Sequence, residues 1–283
     1  MSIHRPVLLQ KVIDFLAVKK GGLYIDATFG GGGHSEAILR LGGCVLGIEW
    51  DKSQYQIAKA KYQSYLEKNL FLVNDNFSQI EKIAKQNKFF PVDGVLFDLG
   101  ISMMQIEGSG RGFSFKNLDE PLDLRINEKI TFNAANWLNQ LPKEKLYEIF
   151  AKNAEIVNYR PIVDGIVLRR RLRPIKTVGD LISIIDRQLK IKNERIYRQI
   201  WQALRIFVND ELENLKKGLL GAVKILKKEG RILVITFHSL EDRLVKKIVL
   251  ENNLVFLTKK PIVSIGGGFF ERSAKLRVVS FKK

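Results

Sequence analysis

Three side chains that could do chemistry follow short apolar stretches, at points where strands are predicted to end. His34 follows a run of glycines, Glu49 closes the second apolar stretch, and Asp98 closes the fourth. Ligands of open α/β sheets bind beyond the carboxyl ends of the parallel strands. We therefore expect these three side chains to meet at one edge of a sheet and to form part of a ligand site.

The glycine run, Gly30–Gly33, stands between a predicted buried strand and an amphipathic helical pattern. Glycine tolerates positive φ and brings backbone N–H groups close to a ligand without a Cβ in the way, so the run predicts a cofactor loop. A flexible turn is the alternative, but a solvated linker would not separate a buried strand from such a helix. A dinucleotide fingerprint needs a third glycine where this chain has Ser35 or Glu36. A dehydrogenase is therefore the weaker hypothesis.

The carboxylates suggest separate roles. Glu49 lies about 18 residues beyond the glycines, close to the spacing of roughly 20 at which a carboxylate binds a ribose hydroxyl. The alternative, a charge at a helix N-terminus, suits Asp51 better because that residue opens the next helical pattern. Asp98 ends the strand beside the predicted switch point, so we expect it to face the reactive end of a cofactor. Phe77 either flanks an adenine ring or belongs to the core.

These residues are positioned by an alternation of apolar stretches and helical patterns, which predicts crossover connections and a mostly parallel sheet. The seven predicted strands are 23–27, 44–49, 70–74, 92–99, 231–237, 254–259 and 275–281. The last pair can form an antiparallel hairpin, so a seven-stranded Rossmann-like α/β sheet fits better than the six-stranded dinucleotide version.

The pattern changes between residues 101 and about 200, where no convincing buried strand is found. Helical patterns occur there at 134–137, 143–151 and 179–189, and one long helix is predicted over 198–228. We therefore predict a core interrupted by a helical insertion. Its three parts are 1–105 for the first part of the core, 106–200 for the insertion domain, and 201–283 for the second part of the core.

The chain is strongly basic, with 47 Lys and Arg against 30 Asp and Glu and a net charge of +17. This balance favours a polyanionic partner, most simply nucleic acid, although a lysine-rich proteome would also give a basic surface. Residues 160–205 carry 12 Lys and Arg against 4 Asp and Glu, a net +8. Arg169, Arg170 and Arg171 are the leading candidates for phosphate contacts, and a solvated basic helix face is the alternative.

Cysteine content and hydropathy limit the class of protein. The single cysteine, Cys44, excludes an internal disulfide and a multi-cysteine metal site, so we expect a reducing cytoplasm and no metal. No apolar run approaches the roughly 20 residues that a membrane helix needs. We therefore predict a cytoplasmic protein without a membrane segment.

Two further stretches contain candidate substrate contacts. Arg111 and Phe113 lie in the glycine-spaced segment 108–115, which could close over a site and stack on a base. The alternative is an ordinary loop that packs its phenylalanines. His238 follows the fifth predicted strand and could border a target pocket, but with Ser239 at the N-cap it reads more simply as the entry to a helix.

Several ordered blocks resemble the bacterial ribosomal small-subunit RNA cytosine-N4 methyltransferases, the MraW-type family. They keep the family's order over nearly the whole chain, which chance agreement does not explain. The blocks are Thr28-Phe29-Gly30, Gly32-Gly33-His34-Ser35, Asp98-Leu99-Gly100, Arg111-Gly112-Phe113-Ser114-Phe115, Pro121-Leu122-Asp123, Gln202-Ala203-Leu204-Arg205, Phe237-His238-Ser239-Leu240-Glu241 and Arg272-Ser273-Ala274-Lys275.

The resemblance implies a class I methyltransferase core, S-adenosylmethionine as methyl donor, and a cytidine in the decoding region of the small ribosomal subunit as target. It also implies a helical domain that interrupts the core, to which we assign RNA recognition. Asp98, at the end of the fourth strand, is our candidate catalytic residue because a carboxylate there would accept a hydrogen bond from the amine. The implied cofactor contacts are Gly32, Gly33, His34, Glu49, Phe77, Asp98 and Gln105. Homodimer formation is left open.

The chain departs from the family pattern mainly on the substrate side. Met103-Met104 stands where the family has Ser-Pro, so the turn after Ser102 lacks a proline restraint. A non-catalytic RNA-binding or assembly factor that retains the fold is therefore the remaining alternative.

Overall fold

The computed structural model describes residues 6–155, 159–264 and 273–282 of the 283-residue chain. It separates into two compact units, which we call unit 1 and unit 2. Unit 1 comprises Met1–Gly100 with Leu212–Lys283, and unit 2 comprises Ile101–Glu211. Each has a hydrophobic core of its own. The predicted boundaries after residues 105 and 200 both fall inside unit 2, which therefore extends beyond the predicted insertion at each end.

Unit 1 is built on one mixed sheet whose strand order is β3-β2-β1-β4-β5-β8-β6, with β7 paired to β8. The strands are β1 Leu23–Asp26, β2 Cys44–Ile48, β3 Leu70–Val73, β4 Val92–Asp98, β5 Leu226–Thr236, β6 Leu254–Phe256, β7 Ile262–Val263 and β8 Lys275–Phe281. Strands β1 to β5 pair in parallel, whereas β8 pairs antiparallel with β5, β6 and β7.

This topology confirms the predicted Rossmann-like α/β class. The chain runs outward from β1 through β2 to β3 and then returns to the other side of β1 with β4, so a topological switch point lies between β1 and β4. Among the described residues the sheet has eight strands rather than the seven predicted. The addition is the two-residue β7, which is too short to leave a periodic signal.

Twelve α-helices are found in the described residues. They are α1 Leu9–Leu16, α2 Gly33–Arg40, α3 Lys52–Lys61, α4 Ile80–Gln86, α5 Met103–Gly108, α6 Ala134–Gln140, α7 Lys143–Asn153, α8 Arg160–Leu172, α9 Val178–Leu189, α10 Glu194–Val208, α11 Glu211–Ile225 and α12 Ser239–Glu251. No described helix combines the length and apolar character needed to cross a bilayer.

Alternation along the strands gives the sheet of unit 1 two buried faces. Ile25 and Leu46 belong to the core that also contains residues of α4, α11 and α12. Their neighbours Tyr24 and Val45 belong to the core that also contains residues of α1, α2 and α3. Successive strand side chains point to opposite faces, so helices on both sides are required to bury them.

The predicted long helix over 198–228 is wrong, because the structure divides it. Helix α10 ends at Val208 and α11 begins at Glu211, with Asp210 at φ 50° between them. The buried Asn209 side chain stabilises this break: its Oδ1 accepts from Ile126 N at 2.7 Å and its Nδ2 donates to Leu124 O at 2.8 Å. The last residues assigned to the helix instead begin β5, where Leu226 pairs with Val92.

Unit 2 is helical, as predicted, and its core is formed largely by α7, α8, α9 and α10. Helix α9 begins with a capping box in which Thr177 Oγ1 accepts from Asp180 N at 3.2 Å. The sequence did not predict α5 or α8. Helix α8 carries a buried apolar face interrupted by charged residues, with Pro161 in its first turn.

Candidate active site

The glycine loop leaves β1 at the switch point and is anchored to both neighbouring strands. Ala27 N donates to Leu96 O of β4 at 2.8 Å, and Phe29 N donates to Ile48 O of β2 at 2.9 Å. The next backbone N–H, that of Gly30, donates to a carboxylate oxygen of Glu49 at 2.8 Å. The loop is therefore held at the carboxyl ends of the central strands, where the sequence predicted a cofactor loop.

Two of the four glycines show why the run is needed. Gly32 has φ 74°, and a Cβ there would lie 2.4 Å from Tyr62 Cε2 and 2.8 Å from the Phe29 ring. Gly31 is exposed, and a Cβ on it would meet nothing within 4 Å. Gly32 is thus demanded by the fold itself, whereas the space over Gly31 is open to a ligand.

Glu49 directly follows β2 and is 8% exposed. Besides Gly30 N, it accepts from Asp51 N at 2.7 Å, so each oxygen holds one backbone N–H. Burial raises the pKa of this carboxyl to about 7, although the two hydrogen bonds oppose the shift. Asp51 caps α3 by accepting from Ser53 N at 3.0 Å, which confirms the interpretation that it opens the next helix.

Asp26 is a site residue that the sequence reasoning missed. It is 1% exposed, and it accepts from Ser35 Oγ at 2.7 Å and from Thr28 N at 3.3 Å. Burial raises its pKa, the neighbouring His34 and both hydrogen bonds lower it, and Asp98 raises it further. The available signal was a carboxylate that ends a buried apolar strand immediately before a glycine loop.

His34 and Asp98 face each other across the switch point. Their Nε2 and Oδ2 atoms lie 3.4 Å apart, within ion-pair distance but not aligned as a hydrogen bond. His34 is 6% exposed and Asp98 is 24% exposed, so Asp98 is the more accessible of the two side chains. Neither ring nitrogen, nor Asp98 Oδ1, has a hydrogen-bond partner among the described residues. Thr28 Oγ1 fixes the strand end by accepting from Asp98 N at 2.7 Å.

Two further predicted cofactor contacts, Phe77 and Gln105, have structural roles of their own. Phe77 packs edge-on against Phe97, with ring centroids 5.7 Å apart, and a Cβ at Gly218 would lie 2.7 Å from its ring. Gln105 belongs to unit 2, where it is 5% exposed. With Ser102 it forms the capping box of α5: Gln105 Oε1 accepts from Ser102 N at 3.0 Å.

The substrate candidates of segment 108–115 lie in unit 2 and serve its packing. Arg111 donates to Arg125 O at 3.1 Å and to Ile126 O at 2.9 Å, and its guanidinium lies 5.5 Å from the centre of the Phe113 ring. Phe113 is 5% exposed and belongs to the core. Burial removes the free ring face that stacking on a base requires, so the segment packs its phenylalanine as in the alternative reading.

The three consecutive arginines of α8 do not form one surface. Arg169, which is 12% exposed, donates to Asp180 Oδ1 at 3.1 Å and to Arg173 O at 2.9 Å. Arg170 donates to Leu138 O at 2.8 Å and to Leu141 O, at the C-cap of α6, at 2.7 Å, and burial lowers its pKa. Arg171 alone of the three is exposed. The predicted triple phosphate patch is therefore corrected to a single outward arginine.

His238 begins a helix, as the simpler interpretation held, but it is itself the N-cap rather than Ser239. Its Nδ1 accepts from Glu241 N at 3.4 Å, and Glu241 Oε2 accepts from Phe237 N at 2.8 Å. Its Nε2 lies 3.2 Å from Glu241 Oε1 without hydrogen-bond alignment. At 7% exposure it presents little surface to a substrate.

The same helix carries a buried ion pair. Asp242 accepts from Arg277 Nε at 2.5 Å and from Arg277 Nη2 at 3.1 Å, and Lys246 Nζ lies 3.0 Å from the same carboxylate. Burial acts to raise the Asp242 pKa, but the two cations lower it overall. Asp242 thus ties α12 to β8. Arg272 of the last resemblance block lies outside the described residues.

Residues 1–282 of the chain match the MraW methylase family. The chain belongs to that family. A relative from Clostridium botulinum (strain Loch Maree / Type A3), named ribosomal RNA small subunit methyltransferase H, is 41% identical over 249 residues, which cover 86% of this chain and 80% of that protein. A relative of the same name from Dictyoglomus thermophilum is 38% identical over 286 residues, which cover 98% of this chain and 96% of that protein.

A solved structure of an rRNA methylase from Streptococcus thermophilus aligns with all of this chain and all of its own at a TM-score of 0.48 and 10% identity. Family membership and the strand order together make this chain a methyltransferase of the class that uses S-adenosylmethionine, as the sequence predicted.

The residues at the switch point fit that cofactor. Each Glu49 oxygen keeps acceptor capacity beyond the backbone N–H that it already holds, which suits a pair of ribose hydroxyls. The unpaired nitrogens of the buried His34 and the unpaired Oδ1 of Asp98 need a polar partner, and a buried polar group without one is costly. The open space over Gly31 lets a ligand approach the backbone there.

Proposed function

We propose that this chain is a cytoplasmic methyltransferase that transfers a methyl group from S-adenosylmethionine to the exocyclic N4 amine of a cytidine in the decoding region of small-subunit ribosomal RNA. The names of the relatives support small-subunit ribosomal RNA as the substrate. The observation that carries the proposal is the pairing of a buried His34 with a partly exposed Asp98 at the switch point.

The reaction needs help because the cytosine amine is a poor nucleophile, its lone pair being delocalised into the ring. When bound, S-adenosylmethionine supplies an electrophilic methyl group on a sulfonium. The protein's main contribution is to hold the acceptor nitrogen in line with the methyl carbon and the sulfur in a site that excludes water. We assign cofactor binding by unit 1 to Gly32, Gly33, His34 and Glu49, with Phe77 as a further contact.

Asp98 is the group that assists the amine. Transfer of the methyl group to N4 would develop positive charge on that nitrogen. The Asp98 carboxylate accepts a hydrogen bond from the amine and stabilises that charge, and the departing proton passes to the carboxylate or to water. The Thr28 hydroxyl holds the Asp98 backbone by accepting from its N–H, and His34 lies beside the carboxylate.

Unit 2 supplies RNA recognition in this proposal. Arg171, the outward arginine of α8, would contact phosphate, while Arg169 and Arg170 support the helix that carries it. Arg111, Phe113 and His238 remain candidates for a role in substrate binding, but in this proposal they act indirectly, by stabilising the segments in which they lie. The change at Met103-Met104 falls at the start of this unit and is a reason to test activity directly.

The decisive experiment is transfer of labelled methyl from S-adenosylmethionine to small ribosomal subunits, followed by nucleoside mass analysis that separates N4-methylcytidine from C5-methylcytidine. We expect only the N4 product. Asp98→Asn should reduce the rate by about 10²-fold or more at saturating cofactor, since it weakens charge stabilisation in the transition state. A wild-type rate for this variant would refute the assigned role.

A matched control uses the only cysteine of the chain. C5 methylation of cytosine requires a cysteine nucleophile, but Cys44 is the first residue of β2, at the end of the strand opposite the glycine loop. Cys44→Ala should therefore retain the wild-type rate. Loss of activity in a folded Cys44→Ala protein, or a C5 product, would contradict the proposed chemistry. RNA binding without methyl transfer would favour the non-catalytic alternative.

A further inference from the structure

A groove with a volume of about 610 Å³ lies on unit 1 between α4 and α11, in the helix layer rather than at the strand ends. Two glycines of α11 let the helices approach closely: a Cβ at Gly221 would lie 2.8 Å from Ile80 Cγ2, and one at Gly218 would lie 2.7 Å from Phe77 Cδ2. The groove is therefore a fixed product of helix packing and not a gap between mobile loops.

Four lysines line this groove, two on each helix, and Glu81 is the one acid among the described residues that line it. The lysines are Lys82, Lys85, Lys217 and Lys224. Glu81 binds one lysine from each wall, with Lys85 Nζ at 2.7 Å and Lys224 Nζ at 2.9 Å. These two lysines lower the Glu81 pKa, so the acid stays ionised and keeps both cations at the groove. The lining still has three positive charges in excess.

The excess charge is available to a partner. Lys82 is exposed and has no ion-pair partner within the described ranges. Lys217 is 53% exposed and lies 3.6 Å from Glu213, a distance at which an exposed pair is weak. The remaining polar lining comes from Ser78, Gln79 and Gln86, which can donate hydrogen bonds to anionic oxygens.

The chemistry of this lining favours an extended anion over a small one. A site for a single phosphate concentrates buried backbone N–H groups or a fixed arginine, whereas this groove has exposed lysines spread along two helix walls. Flexible point charges in a line match the regular charges of a nucleic-acid backbone. An apolar peptide is disfavoured because the lining offers little beyond Leu220 for side chains to bury against.

We propose that this surface, the α4–α11 groove, binds the sugar-phosphate backbone of small-subunit ribosomal RNA at a place separate from the target nucleotide. The proposal rests on the proposed function for the identity of the RNA. It adds a footprint on the methyltransferase core, so substrate binding is not confined to unit 2. Contacts of this kind raise affinity without selecting sequence, and they weaken as salt rises.

The test compares Lys82→Gln/Lys217→Gln with a control that removes two exposed lysines from other helices, Lys11→Gln/Lys247→Gln. The control matches the pairing state, because Lys11 has no ion-pair partner in the described parts of the chain and Lys247 lies 3.9 Å from Glu251 one turn away. Binding to protein-free small-subunit RNA is measured from 50 to 300 mM salt, and methyl transfer to small subunits is measured in parallel.

Loss of two phosphate contacts should weaken binding about tenfold near 150 mM salt and reduce the slope of log K against log salt by roughly 1.5. KM for the subunit should rise while kcat at saturation stays at the wild-type value, since the groove does not touch the reacting atoms. Equal affinities and slopes for the two double variants would overturn the groove proposal while wild-type transfer upheld the proposed function. Failure of the wild type to bind or methylate RNA would overturn both.

A second measurement uses the wild-type protein. Lysine acetylation by a small reagent, read by peptide mass, should be suppressed at Lys82 and Lys217 by protein-free small-subunit RNA and restored by ribonuclease, with Lys11 and Lys247 unaffected. Protection that arises only with assembled subunits and survives ribonuclease would indicate a ribosomal protein and would overturn RNA as the occupant.

Discussion

The glycine loop of unit 1 and the arginine run of unit 2 are both short contiguous motifs, yet the structure treats them differently. Gly30–Gly33 stays together at the strand ends, and its neighbours Glu49 and Asp98 arrive there as expected. Arg169–Arg171 diverges: one side chain pairs with an acid, one caps a neighbouring helix, and one reaches solvent.

The difference follows from backbone geometry. A loop at the end of a parallel strand points its successive backbone groups at one place, because the sheet fixes where every strand ends. Consecutive residues of an α-helix are separated by about 100° around the axis, so three in a row cannot share one face. A run of charged residues on a helix therefore predicts how many charges are present but not which surface carries them. A glycine run after a parallel strand also predicts its position in the fold.

The largest effect should come from the glycine that the fold demands. Gly32→Ala would strain a φ of 74° and place a methyl 2.4 Å from Tyr62 Cε2, so we expect a loss of about 3 kcal/mol in the free energy of unfolding and no cofactor binding. Gly31→Ala meets no neighbour and should fold normally, with weakened cofactor binding only. Denaturant unfolding and calorimetric titration with S-adenosylmethionine measure the two effects, and equal stabilities would contradict the distinction.

A pH effect of comparable size is expected from Glu49. Its pKa rises from an ordinary value near 4.5 to about 7 on folding, so the folded state holds a proton that the unfolded chain has lost. The unfolding free energy of the cofactor-free protein should therefore be highest below pH 4.5 as far as this group is concerned, and should fall by about 3 kcal/mol as pH rises to about 7. Glu49→Gln should flatten that decline in urea unfolding curves.

A control for this pH effect is Glu36→Gln, because hydrogen bonding to Arg40 lowers the Glu36 pKa and moves its titration below the relevant window. The decline between pH 5 and 7 should survive in that variant. Its disappearance in Glu36→Gln, or its persistence in Glu49→Gln, would show that other groups, such as Asp26 with its own raised pKa, dominate.

A smaller effect is expected when a paired and an exposed arginine of the run are compared. Arg169→Met removes hydrogen bonds to Asp180 and to Arg173 O, and should cost about 2 kcal/mol in the stability of unit 2. Arg171→Met should change stability by no more than about 0.5 kcal/mol, since the side chain is exposed, but should lower RNA affinity. Thermal unfolding measures the loss of stability in each variant, and filter binding measures its affinity for RNA. Matching losses of stability would mean that Arg171 also supports the fold.

The smallest effect is expected at the outer side of the glycine loop. The Tyr62 hydroxyl lies 3.1 Å from Gly31 O and 3.2 Å from Glu36 Oε2, so its single proton helps to orient the Gly31 carbonyl. Tyr62→Phe should lower the free energy of unfolding by about 1 kcal/mol and weaken S-adenosylmethionine binding a few-fold without altering kcat. Tyr65→Phe is the comparison on the same side of unit 1. A changed kcat would place Tyr62 closer to the chemistry than the loop contact implies.

Much of the core could be predicted because continuous apolar stretches and the glycine loop are local signals. The observed strands β1 to β4 end one residue before the predicted ends. The errors lie where tertiary contacts override periodicity. The break after Val208 depends on Asn209 bonding to backbone more than 80 residues away, and the early start of β5 depends on Leu226 pairing with Val92. Neither partner is visible in a local window.

The site divides in the same way. Glu49, His34 and Asp98 were predictable because the end of a parallel strand fixes a position in space as well as in sequence. Asp26 was missed because a buried acid looks like an ordinary strand residue until Ser35 and Thr28 are seen to bind it. The burial of Phe113 was not predictable, since stacking and packing draw on the same residue type.

Unit 2 leaves the core after β4 and rejoins it at α11, the crossover that leads to β5, and β4 and β5 are neighbours in the sheet. Ile101–Glu211 is thus spliced into a single connection between adjacent strands, and no strand pairing has to change to accommodate it. In evolutionary terms, an insertion at this single connection can change in sequence or be replaced without altering the strands and loops that bind the methyl donor.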